Sequence, residues 1–318
     1  MEEYLGNGPT PIASLSVSGR QFDAEDIALV KSLSDRFPGL TRNELALTVC
    51  ELLDWVRPSG RPKNRECLDL FDRLEEAGVC RFPAAQQTRP RGTSARQTEV
   101  PPRLDEEEIA GALKTLMPVT LEHVCAPQKH RRWRELVDRF HYLGFKTAFG
   151  ASMRFLITDR SGRNLGCLQY SSPAWRMKVR DEWIGWSDDV RRINLQRIVS
   201  QSRFLILPWV QVPNLGSHVL AKSVKQLPAL WRRQFGVSPL LVETLVDASR
   251  YPGTCYRAAN WIYIGETSGR GRMDRAHKRH GAEVKRLFLY PLVRNVGERL
   301  MRVDAPISAA DSRREQGR

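Results

Sequence analysis

The densest chemistry in the chain lies between Leu241 and Arg279. Glu243 and Asp247 stand four apart in a strand-like run and its exit, so their carboxylates project from opposite ends of one sheet face. Acids placed this way suit a divalent cation, Mg2+ in a nuclease or strand-transfer enzyme; the plainer reading has them capping loops or pairing with Arg250 or Arg257. A two-metal centre needs further acids, and the spacing of Asp181 or Asp274 assigns neither. Cys255 would be a nucleophile only beside a basic partner such as His277 or His141. In the following turn, Arg257 and Asn260 suit hydrogen bonds to phosphate or bases, while Tyr256 and Trp261 either stack on bases or fill the core. Gly269-Arg270-Gly271-Arg272, followed by Arg275, Lys278 and Arg279, lets the backbone approach a phosphate that the arginines grip. The alternative there is a solvated basic loop. His123, His130, His218 and His280 show no metal-ligand spacing, and no metal site is expected.

Charge sets the context for these residues. The 318 residues carry a formal net charge of +14, unevenly shared. Residues 1–125 hold 15 Lys/Arg against 20 Asp/Glu, whereas residues 126–318 hold 35 against 16. A surplus of that size points to a polyanionic partner, since each cation set against a phosphate releases a condensed counterion. No stretch approaches the roughly 18 consecutive apolar residues of a membrane span, and the opening MEEYLGNGPTP lacks the apolar core of a secretory signal. The six scattered cysteines form no CxxC pair and read as reduced thiols of a cytoplasmic protein.

The elements that must position these groups fall into two parts. Residues 1–20 read as disordered. From Asp23 a helical stripe runs through Ile27, Val30, Leu33 and Phe37; a second helix opens on the T-x-x-E capping box of Thr41 and Glu44; a third runs from about Asn64 to a stop at Gly78. With a strand or wing at Val79–Phe82, residues 21–83 read as a helix-turn-helix or winged-helix module. Arg61, Lys63, Asn64 and Arg65 would then meet DNA at the start of the recognition helix, although the rest of that helix is acidic. Units of this kind also bind protein alone. Residues 84–103 are a polar, Pro-containing linker. Beyond it we expect an acidic helix (Asp105 to Met117), a strand, a helix carrying Trp133 and Phe140, and a hairpin turning at Arg160-Ser161-Gly162. A Trp175/Trp183/Trp186 insertion follows, then a central strand, a long helix from Leu215 to Phe235, a strand, a short helical turn and two closing strands; residues 304–318 form a disordered tail.

That order of elements across residues 104–303 resembles the GNAT acyltransferases, and A-x-W-I-Y-I-G (Ala259–Gly265) resembles a stretch near the end of their core. The likeness implies an α+β protein: a helical module followed by a GNAT-like mixed-sheet domain. The pyrophosphate loop departs from the family, with only Gly216 in place, Pro213 three residues before it and His218 where Gly or Ala belongs. A closer resemblance, over Arg131 to Leu300, is to the DruA family of anti-phage defence components, carried by FHYLGF, SRFLILP, NLGSHVLAKSVKQL, LVETLVDASRYPGTCYRAANWIYIGETSGRGR and YPLVRN. It implies a DNA-binding component of bacterial defence or a related mobile element, working beside a helicase-like protein or a transposase, with no cofactor beyond the Mg2+ of a nuclease. The alternatives are that nuclease, using Glu243 and Asp247, and an acyl-CoA-dependent transferase.

Overall fold

The computed structural model describes residues 14–36, 40–57, 62–84, 106–146, 148, 150–268 and 284–302. Within the first 20 residues, expected to be disordered, a hairpin forms instead. Strands β1 (Ser14–Val17) and β2 (Arg20–Asp23) pair antiparallel about Ser18 and Gly19, both at positive φ. Alternation drives it: Val17 and Phe22 are buried, and the Phe22 ring meets Trp55 edge-on at 4.8 Å.

Three helices follow as the periodicity predicts: α1 (Ala24–Arg36), α2 (Arg42–Leu52) and α3 (Asn64–Glu76). The capping box at α2 is formed on both sides, Thr41 Oγ1 accepting from the Glu44 amide and Glu44 accepting from the Thr41 amide at 3.0 Å. Gly78, at φ 69°, terminates α3. The acidity of α3 has an internal use, because Asp72 and Glu75 hold the buried Arg42 at 2.5 and 2.7 Å and Glu66 binds Arg57. Val79–Phe82 forms no strand and hence no wing. Phe82 instead stacks on Phe71 at 4.1 Å while its amide donates to Glu75. The linker lies almost wholly outside the described residues.

The second part keeps the expected order with one early exception. In place of an acidic helix there is the short strand β3 (Ile109–Ala110) and a 3-10 turn at Leu113–Thr115. Gly111 at φ 115° interrupts any helix here, and Ile109 gains more by burying in a parallel pairing with Val210. Then come β4 (Thr120–His123), α4 (Pro127–Phe140), β5 (Ser152–Thr158) and β6 (Asn164–Ser171), followed by α5 (Lys178–Ile184), α6 (Asp188–Asn194), β7 (Ile198–Ile206) and β8 (Val210–Gln211). The chain continues with α7 (Leu215–Phe235), β9 (Leu241–Asp247), α8 (Thr254–Ala258), β10 (Ile262–Glu266), β11 (Lys285–Pro291) and α9 (Val296–Met301). Together these make an α+β protein. No helix of the described residues is long and apolar enough to cross a membrane.

The chain divides into two compact units, residues 1–172 with 201–237 and residues 173–200 with 238–318. In the first, β4, β5 and β6 pair antiparallel, and Trp133 of α4 is buried with its indole N–H donating to the Leu168 carbonyl at 3.1 Å. Helix α7 buries Val219, Leu220, Val224, Leu227 and Trp231, and Ser223 meets the Tyr170 hydroxyl at 2.6 Å. Glycine is required at 166: a Cβ there would lie 2.0 Å from the Leu205 carbonyl oxygen. In the second unit β11 lies between β9 and β10, antiparallel to both. Its core gathers Phe288, Tyr256 and Trp261, with the Tyr256 and Phe288 rings stacked at 5.5 Å.

Candidate nucleic-acid interface

The paired acids of β9 have unlike surroundings. Glu243 is 1% exposed, and its carboxylate accepts from Nη1 of Arg180 at 3.2 Å. Arg180, itself fully buried, also donates to the Ala174 and Trp175 carbonyls and to Asp181. Asp181 ties the cluster together, accepting from the Met177 amide and the Trp186 indole and lying 3.7 Å from Arg191. Asp247 sits at the strand exit, where its carboxylate accepts from the Ser249 amide and hydroxyl and pairs with Arg250 at 3.4 Å. The Ser249 hydroxyl chiefly, helped by its amide, Arg250 and Lys285, holds that carboxyl below its ordinary range. Four residues of strand separate the two acids by about 13 Å along the backbone, whereas a two-metal centre spaces its ions about 4 Å apart. No group of three or more His, Cys, Asp or Glu that could hold a metal occurs among the described residues. Glu243 thus pairs with Arg180, and Asp247 with Arg250.

Cys255 opens α8. Its thiol is pushed up by burial, with backbone hydrogen bonds only partly offsetting this, so it is no ready thiolate. Of its two suggested bases, His277 lies outside the described residues. His141 already accepts from the Leu143 amide, and burial reinforced by Arg203 lowers its pKa to about 4. Tyr256 and Trp261 are buried, so neither offers a face to a base.

What remains on the surface of this unit is a small, mixed patch. Arg257 and Asn260 are both exposed, and Asn260 takes φ 63° at the corner leaving α8. The sequence did not single out Tyr263. It is 42% exposed on β10, with the Arg257 guanidinium 5.5 Å from its ring centroid and 5.7 Å from that of Phe288. Ile262, the preceding residue of β10 and paired with Leu289, is similarly exposed. Such a guanidinium-on-aromatic pair presents a π-face, a fixed cation and a neighbouring amide together. The segment carrying Arg270, Arg272, Arg275, Lys278 and Arg279 connects β10 to β11 and lies outside the described residues.

The remaining sequence candidates lie in the first unit. Arg61 falls outside the described residues. Lys63 precedes α3 with its ammonium 5.9 Å from the Trp55 ring, and Arg65, the second residue of the helix, is exposed. At the start of α7, Asn214 adopts φ 65°, Ser217 donates to its carbonyl, and burial reinforced by Lys222 lowers the pKa of His218.

Among solved structures the chain is similar to the spermidine N-acetyltransferase of Vibrio cholerae in complex with CoA and spermine, at 12% identity over 55% of this chain and 95% of that one, with a TM-score of 0.37. The spermidine/spermine N-acetyltransferase of the same organism with manganese ions matches at 10% identity over 55% and 92%, with a TM-score of 0.36. No curated protein matches. The family described as Druantia protein DruA matches residues 85–279, more than half of the chain. By that match, together with the sequence strings that run through both of its units, this chain belongs to the DruA family.

Proposed function

We propose that this protein is a DNA-binding component of a bacterial anti-phage defence system, built on an acyltransferase-like core that binds instead of transferring groups. The single observation that carries the reading is the exposed Arg257–Tyr263 pair with Asn260 alongside. Its chemistry is that of a single-stranded nucleic-acid site, a ring for a base to stack on and a guanidinium for the adjoining phosphate. The charge supports it, since residues 126–318 carry 35 Lys/Arg against 16 Asp/Glu. So does the basic segment that connects the strand bearing Tyr263 to β11. The family setting points the same way, towards work on DNA beside a helicase-like or transposase partner.

Fluorescence anisotropy against single- and double-stranded oligonucleotides, at two salt concentrations, tests the reading. Single-stranded DNA should bind the more tightly, with a steep salt slope. Tyr263→Ala should weaken it by roughly 5- to 150-fold, the equivalent of about 1–3 kcal/mol of stacking on one base. Binding that ignores salt, or that survives both Tyr263→Ala and Arg257→Ala, would overturn it.

A further inference from the structure

A second site lies in the first unit, built from none of the acids and arginines that drew attention in the sequence. There a cavity of about 360 Å³ is lined by His123, Cys125, His130, Arg154, Glu44 and Gln234, among others. His123 ends β4 and Cys125 follows two residues on in extended chain, so their side chains share a side. The Cys125 sulfur lies 3.3 Å from Nδ1 of His123, and Cys125 is exposed.

Three features of the surroundings favour a reactive thiol. Cys125 immediately precedes Ala126, the N-cap of the 14-residue α4, where the unpaired amides of the first turn carry partial positive charge. Arg154 reaches the same space. Its Nη1 is 3.5 Å from Nδ1 of His130, while its buried Nε has no hydrogen-bond partner among the described residues. Burial, then Arg233 and His130, hold the His123 imidazole below its usual value, which leaves it in the neutral form at neutral pH with Nδ1 facing the thiol. Burial also raises the Glu44 carboxyl, whose oxygen is already engaged by the Thr41 amide.

We propose that Cys125 and His123 form a nucleophilic thiol–imidazole pair, and that the cavity beside them accepts an electrophile carrying a negative charge. In the step this implies, His123 Nδ1 takes the thiol proton and the sulfur electron pair forms a bond to the electrophilic carbon. The leaving group departs with its bonding pair, and the proton passes from the imidazole to solvent. Arg154 and Arg233 attract the anionic part of the substrate. The chemistry is distinct from nucleic-acid binding and does not rest on it.

Two alkylating probes of opposite character test the proposal on the full-length protein. Iodoacetate is anionic and iodoacetamide neutral; each forms a sulfur–carbon bond and releases iodide. Modification of Cys125 is followed by peptide mass spectrometry at pH 7, with glutathione in the same buffer as the reference and the buried Cys50, Cys67 and Cys167 as internal controls. The iodoacetate-to-iodoacetamide rate ratio at Cys125 should exceed that of glutathione several-fold. His123→Gln should slow both reagents by at least about tenfold, the low end of what a positioned general base supplies. Arg233→Gln, at an exposed position, should lower the iodoacetate-to-iodoacetamide ratio. A ratio equal to that of glutathione, or a His123→Gln protein that is natively folded by circular dichroism and reacts at the wild-type rate, would overturn the proposal.

Discussion

Replacing Glu243 separates a structural role from a catalytic one more sharply than any other change in the second unit. The carboxylate is buried, and the charge facing it belongs to Arg180, which is itself fully buried and 3.2 Å away. Removing one member of such a pair costs about 3–5 kcal/mol, because the survivor keeps a desolvated charge without its counter-ion. Here Arg180 retains Asp181 at 2.9 Å and two backbone carbonyls, which places Glu243→Ala near the low end, about 3 kcal/mol. At roughly 2–4 °C per kcal/mol for a protein of this size, the melting temperature should fall by about 6–12 °C. Arg180→Met should cost a similar amount, since it removes the buried cation paired with Glu243 in turn. Putting both changes in one protein should cost less than their sum, with a coupling of about 2 kcal/mol for two groups that touch. Differential scanning fluorimetry on the four proteins supplies the cycle. Single variants within about 0.5 kcal/mol of wild type, the range expected of an unremarkable surface site, would refute the reasoning. So would a Mg2+-dependent cleavage activity that Glu243→Gln abolishes while leaving the melting temperature unchanged.

Other outcomes follow from single contacts. Gly166→Ala forces a methyl group to within 2.0 Å of the Leu205 carbonyl and should destabilise the first unit by about 3 kcal/mol, read as an early melting transition. Trp261→Phe removes a buried indole N–H that has no partner among the described residues, so stability should hold or rise by up to about 1 kcal/mol; a clear loss would reveal an unrecognised acceptor. His141 titrates near 4 in the folded chain and near 6.5 when unfolded, so the unfolded state binds its proton first as pH falls. Its contribution is complete above about 6.5, declines between about 6.5 and 4, and is gone below that; His141→Gln should therefore flatten this part of the acid limb in urea titrations. The slope of log Kd against log salt should lessen by about 0.7 for each phosphate-contacting cation removed from a single-stranded complex, so Arg257→Gln should flatten it measurably.

Local rules were legible in the sequence wherever their partners lay close along the chain. The capping box of Thr41 and Glu44 and the 21 residues of α7 each depend on neighbours within a few turns, and both form as read. The helix expected from Asp105 fails because Ile109 pairs with Val210, a hundred residues away, and one glycine at φ 115° then makes a helix impossible. The same distance effect governs the candidate site. Glu243 and Asp247 look equivalent in a sequence, but Arg180, 63 residues earlier, takes the first out of solvent while the second remains at the strand exit. Ile262 and Tyr263 are consecutive on β10, paired with Leu289 and Phe288, yet both are exposed, and no local pattern announces it. Buried charge is thus held by partners distant in sequence, while the exposed guanidinium and ring meet across the six residues from Arg257 to Tyr263. A ligand that needs a cation and a π-face together is served by that second arrangement and excluded from the first. The β9 acids are therefore engaged within the unit, and the interface we propose for a polyanion is the surface from α8 to β10.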